Sequence, residues 1–154
     1  MNKQVLSNAE KEQIHIEIKE AVNTLINGCE NLDMDLAFDV FNNSPDFLMM
    51  GTDGTTCDYQ TYLKNNIDYL MSCSNFKLTT YGEAIRILNH QMVIYSWTYG
   101  AEAILMTGEK DIVENAGASF VFEKIDGKWK VVYYHESSTP ARRIEIEDRE
   151  STGD

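Results

Sequence analysis

The chain has 154 residues, a length typical of one domain that buries its own core. Its 25 acidic and 13 basic side chains give a formal net charge of −12, which disfavours nucleic acid as a partner because phosphates are bound by Lys and Arg. Cys29, Cys57 and Cys73 form no CxxC pair and no His cluster accompanies them, so reduced thiols are predicted, with no metal site and no cofactor.

The N-terminal residues predict no membrane targeting. Residues 1–8 contain no apolar segment, and residues 10–12 are all charged. No later apolar run approaches the ~20 residues needed to cross a membrane. We therefore expect a cytoplasmic protein without a membrane partner.

Three helices are predicted in the N-terminal half. Over residues 8–32, apolar residues recur every three or four positions, the spacing of one stripe on a long amphipathic helix. A shorter helix is predicted over residues 36–41, and Pro45 lies just beyond its end. Residues 47–50 predict a short buried strand, and residues 57–71 predict the third helix.

The remaining residues predict an antiparallel sheet. Its long strands are expected at residues 76–88, 91–107, 112–125 and 128–138. Asp126-Gly127 between the last two strands is a strong hairpin signal, because a type I′ turn needs φ > 0 at both central positions. Glycines inside strands mark bulges or bends, so Gly82, Gly100 and Gly117 predict a curved sheet.

Apolar residues occupy both faces of the last predicted strand, where Val131 and Tyr133 alternate with Val132 and Tyr134. A half-exposed strand should alternate apolar with polar residues, so we expect both faces to be covered. The core covers one face. A second copy of the chain is predicted on the other, giving a homodimer through the sheet.

The domain is expected to span residues 8–140. Residues 141–154 are mostly charged and lack the apolar content that offsets the entropy of ordering. They are predicted to form a disordered tail.

The order of these elements resembles the nuclear transport factor 2-like superfamily over residues 8–140. Residues 33–36, 47–54 and 126–138 carry the resemblance. The last of these is similar to the ending of SnoaL-like, polyketide-cyclase-like members and of the calcium/calmodulin-dependent kinase II association domain. Those proteins close on a His-x-His-x-Ser-like sequence, whose histidine positions are here Tyr133 and His135. Glu136 stands where the kinase domain has an arginine, so recognition of carboxylates by that arginine does not carry over.

The resemblance implies an α+β cone, in which a curved antiparallel sheet wraps around three N-terminal helices and leaves an apolar cavity open at one end. Such a cavity is the default site for an apolar or cyclic small molecule. Which face of the sheet lines it is left open by the sequence.

Aromatic residues predict the lining of this pocket. Three of them share one face of the second long strand and form a flat surface, suited either to a planar ligand or, more commonly, to packing. His135 is a lone histidine that either moves protons in the pocket or, more often for such residues, forms hydrogen bonds in an interface. The predicted pocket residues are Tyr95, Trp97, Tyr99, Tyr134 and His135.

Glu136 is the candidate catalytic residue. If it faces the cavity, desolvation could tune its carboxylate to remove a proton α to a carbonyl, while a tyrosine hydroxyl stabilises the enolate oxygen. The alternative is a glutamate at the end of a strand that faces solvent.

Two functions therefore remain open. The first is a SnoaL-like protein that binds a small molecule, with isomerase or cyclase chemistry as its enzymatic form. The second is a non-catalytic module for oligomerisation or partner binding, resembling the kinase association domain. A hub normally assembles something fused to it, and the absence of an attached catalytic domain weighs against the second.

Overall fold

The computed structural model describes residues 5–146. It has the predicted α+β architecture of three helices and a curved, unclosed sheet, and the sheet has seven strands instead of the five predicted. The helices are α1 (Asn8–Glu30), α2 (Met34–Phe38) and α3 (Tyr59–Met71). The strands are β1 (Leu48–Met50), β2 (Thr56–Cys57), β3 (Cys73–Asn89), β4 (Met92–Leu105), β5 (Glu109–Ile125), β6 (Lys128–Ser138) and β7 (Arg142–Glu145). The sheet order is β2-β1-β6-β5-β4-β3, and β7 pairs with β5.

Helix α1 begins at a capping box. The hydroxyl oxygen of Ser7 accepts a hydrogen bond from the backbone N–H of Glu10, whose carboxylate accepts one from the N–H of Ser7. The buried stripe of the helix is Ile14, Ile18, Val22 and Leu25. The predicted long amphipathic helix is confirmed, and this stripe joins the core of the sheet.

Helix α2 is shorter than predicted, because Val40 and Phe41 leave the helix to bond with the sheet. The Val40 carbonyl accepts a hydrogen bond from the N–H of Val131 at 2.8 Å, and Phe41 forms a parallel bridge to the same residue. Helix α3 begins two residues later than predicted, because Thr56 and Cys57 form β2, which pairs with β1.

The long strands β3 to β6 form the predicted antiparallel meander. Asp126 and Gly127 have φ values of 50° and 79°, which confirms the hairpin turn between β5 and β6. Register shifts occur next to Gly82 and Gly100, as predicted, whereas Gly117 pairs in regular register and forms no bulge.

A bulge at Val132 reverses which side chains of β6 face the core beyond that residue. Phe122 pairs with Val131, but the preceding Val121 pairs with Tyr133, which leaves Val132 as the extra residue. Val131 and Tyr134 are consequently both buried, although they are three positions apart. The bulge therefore explains why apolar residues occupy both odd and even positions of β6. The pattern no longer indicates that a partner covers the outer face.

Part of the predicted disordered tail is ordered. Residues 142–145 form β7, which pairs with Glu109–Ile112 of β5. Residues 147–154 lie outside the described residues, so for them the disordered tail stays a prediction.

The core lies between the helices and one face of the sheet, which we call the inner face and define by Val93, Tyr95, Trp97, Phe120 and Phe122. No helix within residues 5–146 is long and apolar enough to cross a membrane.

Candidate functional site

A cavity of about 340 Å³ lies between the inner face of the sheet and the three helices. Its walls are mostly apolar, with Leu25 of α1 and Leu70 of α3 among them. The aromatic residues that line it include Phe38, Phe41, Tyr62, Trp97, Tyr99, Phe120 and Tyr134. The volume is at the lower end of the ~300–1,000 Å³ typical of small-molecule pockets.

Two stacked ring pairs build the sheet side of the cavity. The rings of Trp97 and Tyr99 have centroids 4.0 Å apart and planes inclined by 19°. The indole N–H of Trp97 donates to the Thr80 hydroxyl at 2.9 Å, which fixes the ring against the sheet. Phe120 and Tyr134 stack at 4.8 Å with planes inclined by 7°. The four rings are therefore held in place by contacts with one another and with the sheet.

Glu136 is the acidic group at the polar end of this wall. It is half-buried, and the hydroxyl of Tyr134 donates a hydrogen bond to its carboxylate. The bulge at Val132 places both side chains on the cavity side, two residues apart on β6.

Three tyrosine hydroxyls in the cavity stay protonated at neutral pH. Burial, followed by repulsion from the Glu136 carboxylate, raises the pKa of Tyr62, Tyr99 and Tyr134. These groups are therefore neutral hydrogen-bond donors rather than phenolates. Burial also raises the pKa of the Cys29 thiol, to about 12, so this cavity residue is not a thiolate nucleophile.

The second acidic group of the cavity wall, Asp111, is paired. Arg143 of β7 donates to its two carboxylate oxygens at 2.6 and 2.9 Å, and the Tyr69 hydroxyl donates to it at 3.2 Å. The hydrogen bonds from Arg143 hold the pKa of Asp111 below its usual value. This contact attaches β7 to the cavity wall.

The cavity brings together four of the six residues that the sequence singled out, namely Trp97, Tyr99, Tyr134 and Glu136. Tyr95 is fully buried beside the cavity without lining it, and its hydroxyl donates to Glu83 at 2.8 Å.

His135 is exposed and lies on the opposite face of the sheet from the cavity, which we call the outer face. It borders a shallow depression there with Ser96 and Ser119. Its predicted place in the pocket is thus wrong, because the bulge at Val132 directs Tyr134 and Glu136 inward and leaves His135 outward.

The predicted pocket residues include none from the helical side of the cavity, and the Arg143–Asp111 pair was not predicted. Tyr62 occupies an ordinary core position of α3, so its place in the sequence favours a packing role over a ligand contact. The pair joins residues 32 positions apart. The alternation of Ile144 and Ile146 with charged residues was the available signal for a strand.

The described part of the chain contains no cluster of three or more His, Cys, Asp or Glu residues that could hold a metal ion. Because Asp111 is paired with Arg143, Glu136 is the carboxylate available to a ligand, and neutral phenols lie around it. It can accept a proton or hydrogen bond, and it can balance a positive charge.

Helices followed by a curved, unclosed sheet define the nuclear transport factor 2-like fold. A protein of that superfamily from Salmonella enterica subsp. enterica serovar Typhimurium LT2 has a TM-score of 0.73 at 18% identity, covering 93% of this chain and 99% of that chain. Hexachlorocyclohexane dehydrochlorinase from Novosphingobium barchaimii LL02 has a TM-score of 0.73 at 11% identity, covering 91% and 98%. At these identities the likeness shows the fold alone.

Within this superfamily, the sequence pattern of the calcium/calmodulin dependent protein kinase II association domain matches residues 14–140, and the chain belongs to that family. A candidate association domain from Xanthomonas campestris has a TM-score of 0.66 at 21% identity, covering 80% of this chain and 86% of that chain. In a comparison with curated proteins, no sequence matched the chain.

Proposed function

We propose that the protein binds a small apolar molecule that contains a ring, within the cavity behind the inner face of the sheet. The observation that carries the proposal is a cavity of about 340 Å³ whose stacked aromatic wall ends at Tyr134 and Glu136. Ligand pockets combine apolar walls with a few convergent polar groups in this way.

In this proposal the ligand has one orientation. Its ring packs against Trp97 and Tyr99, and its polar substituent faces Glu136 and the hydroxyl of Tyr134. Apolar burial supplies most of the affinity, and the polar end selects among ligands of similar size.

Protein-detected NMR tests the proposal through the two indole N–H signals. Trp97 lines the cavity, whereas the indole N–H of Trp129 donates to Glu17 outside it. A neutral probe such as tert-butylbenzene should shift the Trp97 signal and leave the Trp129 signal in place. Movement of neither signal at saturating probe would contradict binding in this cavity.

A matched pair of variants locates the binding. Ala101→Phe places a ring in the cavity and should abolish the Trp97 shift, while Ala84→Phe adds the same ring on the outer face and should leave it intact. Circular dichroism verifies that both variants are folded. Equal binding by both variants would show that the probe binds outside this cavity.

Acid-base catalysis is the enzymatic form of this proposal. In it, Glu136 accepts the proton that leaves the α-carbon of a carbonyl ligand, and the neutral Tyr99 hydroxyl donates a hydrogen bond to the enolate oxygen. Mass spectrometry of a cyclic ketone in D₂O should show deuterium entering its α positions. Glu136→Gln should stop the enzymatic exchange, and Tyr99→Phe should slow it by about a hundredfold.

The family match over residues 14–140 favours association as a second function. The outer face of β4, β5 and β6, which carries small residues such as Ser96, Gly117 and Ser119, is the surface proposed for a homodimer. Size exclusion with light scattering should give a mass at least twice the 17.6 kDa of the chain. A monomer at micromolar concentration would exclude the association function.

A further inference from the structure

We infer that the ligand of the cavity is an organic cation, an ammonium group attached to an apolar body. The inference rests on the proposed function and adds the charge of the ligand to that proposal. The distribution of positive and negative groups over the cavity wall supports it.

The cavity carries an unbalanced negative charge. Its ionisable wall residues, apart from tyrosines, are Cys29, Asp111 and Glu136, and no Lys, Arg or His of residues 5–146 lines it. The Cys29 thiol is neutral, because burial raises its pKa to about 12. Asp111 is balanced by the two hydrogen bonds from Arg143. Glu136 is left as the single uncompensated charge.

Glu136 has no cationic partner among residues 5–146, where the acidic ends of the ion pairs are other residues. Its hydrogen-bond donor is the neutral hydroxyl of Tyr134. Glu136 is half-buried, and an opposite charge stabilises a carboxylate that has lost part of its hydration. An ammonium ligand supplies that charge, whereas a carboxylate ligand would meet repulsion.

The walls around Glu136 also suit a cation. The negative faces of aromatic rings attract ammonium groups, and Trp binds them best. Trp97 and Tyr99 line the cavity as a stacked pair, in which one face of each ring covers the other, and Tyr62 lines the cavity from α3. Alkylated ammonium ions combine an apolar surface with a delocalised positive charge, so both the rings and the carboxylate contribute to binding them.

The net charge of the whole protein also favours a cationic ligand. A net charge of −12 raises the local concentration of cations around the molecule and lowers that of anions. Long-range attraction and the charge of the cavity therefore select the same class of ligand.

Three probes with nearly the same shape test the inference on the full chain. Phenyltrimethylammonium is the cation, tert-butylbenzene is its neutral isostere, and 2-methyl-2-phenylpropanoate is the anion. Their dissociation constants are measured from the Trp97 indole shift in 50 mM salt. The cation should bind about tenfold more tightly than the neutral probe, the size expected for a partly desolvated cation on aromatic faces and a carboxylate. The anion should bind most weakly.

Glu136→Gln keeps the shape of the side chain and removes its charge. It should reduce the advantage of the cation to about threefold or less and leave the affinity for tert-butylbenzene within about twofold. Glu12→Gln removes the same charge from an exposed position on α1 and should preserve the full advantage. Thermal unfolding of each variant verifies that it remains folded.

The outcomes separate the two proposals. If tert-butylbenzene binds as tightly as the cation, or if the cation keeps its advantage in Glu136→Gln, the inference is overturned while ligand binding stands. If no probe moves the Trp97 signal, the proposed function fails and the inference fails with it. Preference for the cation that depends on Glu136 supports both.

Discussion

At the scale of single residues, the Arg143–Asp111 pair holds the C-terminal strand on the domain. Asp111 is 7% exposed, and its two oxygens accept hydrogen bonds from the guanidinium of Arg143. A carboxylate buried to this extent requires its partner, because removing one member leaves an uncompensated charge. The neighbouring Arg142 instead pairs with Glu114 at an exposed position.

We predict that Arg143→Ala lowers the free energy of unfolding by about 1–2 kcal/mol, because Asp111 loses its charged partner. Arg142→Ala is the matched control and should change it by about 0.5 kcal/mol or less, since its ion pair is exposed. Urea denaturation at pH 7 measures both. Equal effects of the two variants would contradict a specific role for Arg143.

The effect of Arg143→Ala should depend on pH. The pKa of Asp111 is lowered in the folded protein, so the stabilisation is fully present above the usual value of about 4 and is lost as the pH falls through the lower folded value. Denaturation from pH 7 down to pH 2 should show the wild type and the variant converging only at the acidic end. A constant difference over the whole range would mean that the Asp111 charge is not involved.

At the scale of elements, α1 and α2 cross at Gly28. A Cβ atom added there would overlap the backbone of Ala37 and lie 2.8 Å from the carbonyl carbon of Leu36. The N–H of Asp33 donates to the Gly28 carbonyl at 2.8 Å, which fixes the connection between the helices. Close packing of the two helices therefore requires glycine at position 28.

Gly28→Ala should lower the free energy of unfolding by about 1–2 kcal/mol. Helix propensity alone favours alanine by about 1 kcal/mol, but overlap with the backbone of α2 costs about 2–3 kcal/mol, the upper part of the usual range for overpacking. Asn23→Ala, at an exposed position of the same helix, should be neutral or slightly stabilising. Thermal and urea unfolding compare the two, and stabilisation by Gly28→Ala would show that α2 does not pack this closely.

The hairpin between β5 and β6 gives a second prediction at this scale. Gly127 has φ = 79°, so Gly127→Ala should lower the free energy of unfolding by about 1–2 kcal/mol. Asp126→Asn should change it little, because asparagine tolerates the φ of 50° found there. Urea denaturation of both variants measures the difference. A large loss in Asp126→Asn would point to a role for the carboxylate and not for the turn.

At the scale of the whole molecule, the two faces of the sheet have different surroundings. The inner face carries the core and the cavity, while the outer face is left without cover within residues 5–146. Ser119 lies near the middle of the outer face, between Ser96 and His135 on the adjacent strands. An interface between copies of the chain through this face would bury it.

We predict that Ser119→Arg reduces the mass measured by light scattering to that of the 17.6 kDa monomer, because a charged side chain opposes close packing of two sheets. Lys64→Arg on the exposed face of α3 is the control and should leave the mass unchanged. Association that survives Ser119→Arg would place the interface on another surface.

The sequence alone determined the local features of this protein. The stripe of α1, the Asp126-Gly127 turn and the ending that identifies the superfamily depend on residues close together in the chain, so their patterns are visible without the fold. Tertiary structure alone decided that a bulge at Val132 turns Glu136 into the cavity and His135 out of it. It also decided that Arg143 reaches Asp111. The bulge lies within a local hairpin, but an alternating pattern does not encode where the register shifts. The Arg143–Asp111 pair joins residues 32 positions apart, which a local pattern does not encode either.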